Sequence, residues 1–276
     1  MTTPLPARSA EPPAVPAWLG ARGRVKVTRT VAMLGVLAAW FAVSYGNRIV
    51  ELTNPVLLPT PGEVLVVGAE LAQEGLLHQH LLISLLRVAE GFGLAAGLAI
   101  GLGLLVGISQ AVRLVVEPVI EFVRPIPPLA FLPMFLIWFG LGEASKVAFI
   151  AYTTFFPMFI AIAASVLRVE VPMLRAAASL GASRLDLIRY VILPTALPGI
   201  VLALRVGFGL ALFIIVGAEF MGADAGLGYM IMEGRTFFIP AQIVMGALLL
   251  GLLGSLVNAL LLTAERRILR WRSVDG

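Results

Sequence analysis

Cysteine is absent from this 276-residue chain. That excludes a disulfide framework, thiolate metal sites and a cysteine nucleophile. Histidine is limited to His78 and His80, which leaves little for imidazole metal chemistry, and no metal site is expected. Lysine occurs only as Lys26 and Lys146. A phosphate-binding loop requires Gly-x-x-x-x-Gly-Lys followed by Ser or Thr. Lys146 lies between Ser145 and Val147, so that equipment is missing and any ATP hydrolysis must belong to another chain. No Ser-His-Asp set is visible, and Glu219 and Asp224 form a pair of acids without neighbouring bases, expected in an external loop. The chain reads as a non-enzyme. Charge is scarce as well: charged residues make up 13%, against about 25% in a soluble domain. Apolar residues make up 59% and the mean hydropathy is +0.98. A soluble fold would have to expose most of that apolar surface, so the composition points to an all-α integral membrane protein.

What is present is a series of long uncharged runs. A bilayer core of about 30 Å needs about 20 helical residues. On that measure the sequence predicts six transmembrane helices, near 29–47, 87–109, 117–140, 146–167, 198–221 and 238–263. Residues 1–28 form a Pro- and Arg-rich tail expected to be disordered, 29–265 the membrane domain, and 266–276 a basic tail. The first apolar run lacks a convincing small-x-small cleavage site and is read as a retained helix of a bacterial plasma membrane protein. An even number of spans puts both ends on one side. Arg8, Arg22, Arg24, Lys26 and Arg29 precede the first span, and Arg113 follows the second. Arg168, Arg175, Arg184 and Arg189 follow the fourth, and Arg266, Arg267, Arg270 and Arg272 follow the last. Arg48, Arg87, Lys146 and Arg235 are the few on or near the other side. The positive-inside rule then makes both termini cytoplasmic.

Several features inside the spans stand out. Gly93, Gly97 and Gly101 recur at spacing four, with Gly103 and Gly107 beyond them, which lets a neighbouring helix approach closely. The third span carries Pro118, Pro125, Pro127 and Pro128 and cannot be a regular helix. Either it is broken and lines a pathway, or Glu121 and Arg124, three residues apart, form a plain interfacial ion pair. Arg205 and Glu219 lie within or at the end of the fifth span. Charges there face a polar cavity, find a partner or reach the interface. Glu121, Arg124, Arg205 and Glu219 are therefore candidates for a translocation path.

The connection 168–197 is long and structured. Pro172 suits the first turn of a helix that ends at Gly181. Ser183 and Asp186 have capping-box spacing and open a second helix expected to end at Pro194. A DNA-reading helix-turn-helix is a poor fit for so short an element tethered between two spans. An amphipathic hairpin lying on the membrane and a docking element for a cytoplasmic partner both remain.

The run Leu174-Arg175-Ala176-Ala177-Ala178-Ser179-Leu180-Gly181-Ala182-Ser183, followed by Val191-Ile192-Leu193-Pro194-Thr195-Ala196-Leu197-Pro198, resembles the EAA loop of ABC importer permeases. Ala176, Ala177, Gly181 and Pro194 match that pattern, and Arg175 stands where Glu is usual. Leu58-Pro59-Thr60-Pro61-Gly62-Glu63-Val64 resembles a segment of the family's sulfonate, taurine and nitrate branch. So do Arg124-Pro125-Ile126-Pro127-Pro128-Leu129-Ala130, Trp138-Phe139-Gly140-Leu141-Gly142-Glu143, Ala218-Glu219-Phe220-Met221-Gly222 and Gly226-Leu227-Gly228-Tyr229. The resemblance runs from about residue 55 to 265.

It implies a permease subunit for a small anion such as an alkyl sulfonate, taurine or nitrate. The expected partners are a cytoplasmic ABC ATPase, an external substrate-binding protein, a second permease copy and membrane lipid, with no nucleic acid. No cofactor is expected on this chain; ATP and Mg would sit on the ATPase. The coupling hairpin would use Arg175, Ala176, Ala177, Leu180, Gly181, Ser183, Asp186 and Pro194. The alternative is a secondary transporter or channel without an ATPase, which often shows inverted repeats, and none is visible.

Overall fold

The computed structural model describes residues 22–269. Among them there is no strand. The chain divides into two units, Met1–Pro61 and Gly62–Gly276.

In the first unit α1 (Arg22–Val50) is a long helix whose window from Thr30 to Val50 is apolar enough to span a bilayer. It ends where Glu51 takes a positive φ of 51°. Asn47 then clips the chain back: its amide donates to Thr53 O, while its oxygen accepts from Thr53 N–H and Oγ1–H. Farther along, Trp40 Nε1 donates to Pro59 O at 3.1 Å, so the segment after the helix folds back along it.

The second unit is built on three helices that share the core: α3 (Leu76–Ile108), α6 (Glu143–Leu167) and the long run ending at Glu219. Half of the most apolar window of α6 is buried, against 11% for α11 (Pro240–Ile268), so α6 is central and α11 peripheral. The α3–α6 contact is close because α3 offers glycines. A Cβ at Gly91 would stand 2.7 Å from Ile150, and one at Gly103 2.8 Å from Ile162. Gly107 meets Val166 in the same way. The spacing-four series Gly93, Gly97 and Gly101 points into open space instead. Their period-four spacing put them on one face, but that face is not the packed one. Alanine-rich contacts around Ala95, Ala99, Ile162 and Ala203 form one apolar cluster; Val88, Phe135, Phe149, Ile215 and Ala218 form the other.

Five described helices are long and apolar enough to cross a bilayer, or six if one bent pair counts as a single span. That pair is the proline-rich third span. It consists of α4 (Gln110–Val123), a 3-10 turn at Pro128–Phe131, and α5 (Leu132–Phe139), with an 84° bend. The second span begins at Leu76, eleven residues earlier than expected, because the polar His78, His80 and Arg87 lie inside the helix. Two short helices went unforeseen: α2 (Pro61–Gln73) and α10 (Leu227–Thr236), the latter packed against α11.

Pro194 does not end the hairpin's second helix. The chain runs from Arg184 to Glu219 as one continuous helical element: α8 (Arg184–Asp186), a π turn (Leu187–Ile192) and α9 (Leu193–Glu219). In the π turn Leu193 N–H donates to Ile188 O, five residues back. The wider turn makes room for the ring that would otherwise strike a carbonyl of the preceding turn.

Candidate functional site

The hairpin is assembled from local signals. α7 (Val171–Ser179) starts with Pro172 in its first turn, after the N-cap Glu170. It stops at Gly181, whose φ of +88° is open to glycine and strained for other side chains. Ala182 N–H closes the turn on Ala177 O. Ser183 and Asp186 then make both arms of a capping box. Leu174 and Ala177 are half-buried, while Arg175, Ala176 and Leu180 are exposed. Leu180 is 89% exposed. Leu180 is thus an apolar projection at the surface and no part of the core.

A cavity of about 770 Å³ opens where the third span breaks. Its walls are mostly apolar and aromatic, with Pro127, Phe156 and Phe213 among them. Arg124 and Arg168 also line it, each the C-cap of its helix, α4 and α6, and no acidic residue does. Tyr152 lies on the same wall, its buried hydroxyl without a hydrogen-bond partner. A smaller recess of about 170 Å³ brings Arg124 near Glu117 and Glu121. No ion pair joins Glu121 to Arg124 among the described residues. Arg205 is not on the cavity wall. It bonds Glu265 and Asn258 of α11, both at 3.2 Å.

Glu219 is neither wet nor without a base. It is 1% exposed at the end of α9 and accepts from Arg87 Nη1 at 2.8 Å, Ser84 Oγ at 2.6 Å and Gly228 N–H at 2.6 Å. The last bond sets the carboxylate at the N-terminus of α10, where backbone N–H groups favour an anion. Arg87 also grips Glu143 with two bonds, 2.6 and 2.7 Å, and donates to Ala225 O. His80 Nδ1 accepts from Gly226 N–H, and Ser84 Oγ from Leu227 N–H. Gly226, at φ +127°, leaves no room for a Cβ because the Glu219 carboxylate lies against it. The cluster thus ties α3, α6, α9 and α10 together at one end of the core. Nearby on α10, burial, with Glu233 beside it, pushes the Tyr229 phenol above its ordinary pKa.

Arg87, Ser84, His80 and Glu143 were missed as a group, and Arg168 was counted only for topology. A lone arginine inside an apolar helix does announce that an acid must face it. Glu90, Glu143 and Glu219 were all available, and nothing local chose among them.

The chain matches the family described as binding-protein-dependent transport system inner membrane component over residues 96–272. It is 36% identical over 254 residues to the taurine transport system permease protein of Escherichia coli strain K12, covering 90% of this chain and 92% of that one. To the putative aliphatic sulfonates transport permease protein of Bacillus subtilis strain 168 it is 36% identical over 238 residues, 86% of this chain and 85% of that one. Among solved structures, a chain from the crystal structure of an amino acid ABC transporter with histidines superposes with a TM-score of 0.58. That superposition covers 72% of this chain and 97% of that chain at 22% identity, a likeness of fold.

Proposed function

Because the chain belongs to the binding-protein-dependent transport system inner membrane components, we propose that it moves a small organic anion of the taurine or aliphatic sulfonate kind inward. It is a multi-pass inner-membrane permease subunit of an ABC importer and not itself an enzyme; its family works in complexes with an ATPase and a binding protein. In our reading ATP and Mg are held by the partner ATPase, a second copy of this chain completes the path, and both termini are cytoplasmic. The distribution of arginines in the sequence supports that orientation.

One observation carries the coupling role. The exposed hairpin is continuous with a core helix, since α7 leads through Gly181 into the element that runs from Arg184 to Glu219. Movement of an ATPase seated on Arg175, Ala176, Ala177 and Leu180 would be felt directly by α9. Gly181, the Ser183–Asp186 box and the π turn before Pro194 would keep the hairpin's shape. α9 contributes Leu210, Phe213 and Ile214 to the cavity wall, so its displacement would reshape the path.

The anion reading rests on Arg124 and Arg168. Two guanidinium groups on an apolar wall without acids create positive potential in a low-dielectric space. Glu121 in the neighbouring recess would temper Arg124. Arg205 and Glu219, engaged with other helices, would hold the walls in place.

The test is a pull-down of the tagged chain from detergent-solubilised membranes with partners identified by mass. Recovery of an ATPase, lost on deleting residues 172–181, is expected. A chain recovered intact without an ATPase would instead favour a secondary transporter or channel.

A further inference from the structure

The hairpin's charge is one-sided. Arg175, Arg184 and Arg189 are exposed on it, and no ion pair reaches any of them among the described residues. The Arg189 guanidinium lies over the ring of Tyr190, with 5.7 Å to the centroid, and is exposed there. The acids of the segment do not balance them. Asp186 is turned inward to the cap, accepting from Ser183 N–H at 3.0 Å and from Ser183 Oγ. Glu170 stands before α7, at the other end of that helix from Leu180. Between the arginines stand Leu180, 89% exposed, and Leu185, 70% exposed. The surface is thus an apolar knob set among cations that have no acidic partner among the described residues.

An apolar knob calls for an apolar groove, and unpaired cations call for carboxylates around it. We propose that the ATPase surface receiving this hairpin is an apolar groove with an acidic rim, and that a carboxylate on that rim meets Arg175. Charge at position 175 then selects which ATPase the permease accepts. The inference rests on the coupling role proposed above and goes beyond it by naming the chemistry of the partner surface. Arg175 carries the selection because it lies on α7 itself, on the same face as Val171 and one turn away from it, both side chains exposed. A rim contact of this kind sets partner choice through repulsion of the wrong sign as much as through attraction of the right one.

The experiment uses the full chain, tagged and co-expressed with the ATPase it recovers from its own membranes. Wild type, Arg175→Lys, Arg175→Ala and Arg175→Glu are compared between about 50 and 500 mM NaCl, in detergent with and without phosphatidylglycerol. Arg175→Glu is expected to lower ATPase recovery about tenfold or more at the middle of that range, while Arg175→Lys retains it. Arg175→Ala should flatten the salt dependence. A photo-crosslinker at position 175 should label an Asp- or Glu-bearing ATPase peptide, and changing that acid to Lys should restore binding to Arg175→Glu. Equal recovery by wild type and Arg175→Glu at every salt concentration overturns the inference alone. So does loss with Arg175→Lys as severe as with Arg175→Glu, which would make the role steric. Recovery that follows phosphatidylglycerol and ignores the charge at 175 assigns the arginines to lipid phosphates and also overturns it. Failure of the wild-type chain to recover any ATPase overturns the coupling role itself.

Discussion

Replacing Glu219 by alanine removes the acceptor of three buried donors at once: Arg87 Nη1, Ser84 Oγ and Gly228 N–H. Breaking a buried ion pair from one side costs about 3–5 kcal/mol. Each neutral donor left without a partner adds about 1–3 kcal/mol. Arg87 keeps its two bonds to Glu143 and one to Ala225 O, which holds the total near the ion-pair figure. A loss of about 3–5 kcal/mol lowers the melting midpoint of a domain of this size by roughly 6–20 °C. The assay is thermal unfolding of the detergent-purified chain, with hydrogen exchange at residues 220–228 as a local readout. The two partners are not equivalent. Glu143 has a side-chain exposure of 60% and can turn to water when Arg87 is gone, whereas Glu219 cannot. Arg87→Leu combined with Glu219→Leu removes both buried members of this pair and should be more stable than Glu219→Leu alone, with a coupling of about 2 kcal/mol or more. A midpoint shift under about 3 °C for Glu219→Ala, or strict additivity in the double variant, would refute the claim that this pair holds the four helices together.

Gly107→Leu should destabilise by about 1–3 kcal/mol by thrusting a side chain into Val166, while Gly97→Leu, facing open space, should shift the melting midpoint little; equal effects would mean that α3 packs on its other face. Gly181→Val should leave the chain in the membrane yet abolish uptake, because a β-branched residue resists a φ of +88°; wild-type uptake by this variant counts against the hairpin's role. Arg124→Gln and Arg168→Gln should each raise the KM for the transported anion about tenfold at unchanged abundance, one ionic contact being worth roughly 1.4 kcal/mol. Arg205→Gln should instead lower stability with KM unchanged, since Arg205 bonds α11; an increase in KM for Arg205→Gln equal to that for Arg124→Gln would move the anion contact out of the cavity.

What the sequence disclosed depended on range. The hairpin was legible because Pro172, Gly181 and the Ser183–Asp186 box act within a few residues, and the same holds for the proline-broken third span. Pro194 was misread because its usual meaning is overridden by a wider helical turn, which leaves no mark in composition. The Arg87–Glu219 bond joins residues 132 apart, and nothing in either neighbourhood names the other. α10 was invisible for a different reason: at ten residues with Glu233, Gly234 and Arg235 it is too short and too mixed for a span, and its N-terminus is fixed by Glu219 rather than by a cap of its own. The glycine series on α3 had the right spacing, but periodicity cannot say which face meets a neighbour.

The element from Arg184 to Glu219 has 36 residues. At 1.5 Å each, that makes a lever of roughly 54 Å, and a tilt of about 5° about one end sweeps the other by roughly 5 Å. Its two ends are the hairpin and the carboxylate that grips Arg87 and Gly228. Had Pro194 broken the element, a push at the hairpin would have dissipated in a joint near the membrane surface. With the shaft intact, the coupling role proposed above would make the Arg87–Glu219 cluster its fulcrum. A turn of about 5° around it would carry the hairpin end by roughly 5 Å but Leu210, Phe213 and Ile214 of the cavity wall, which lie close to Glu219, by only about 1 Å.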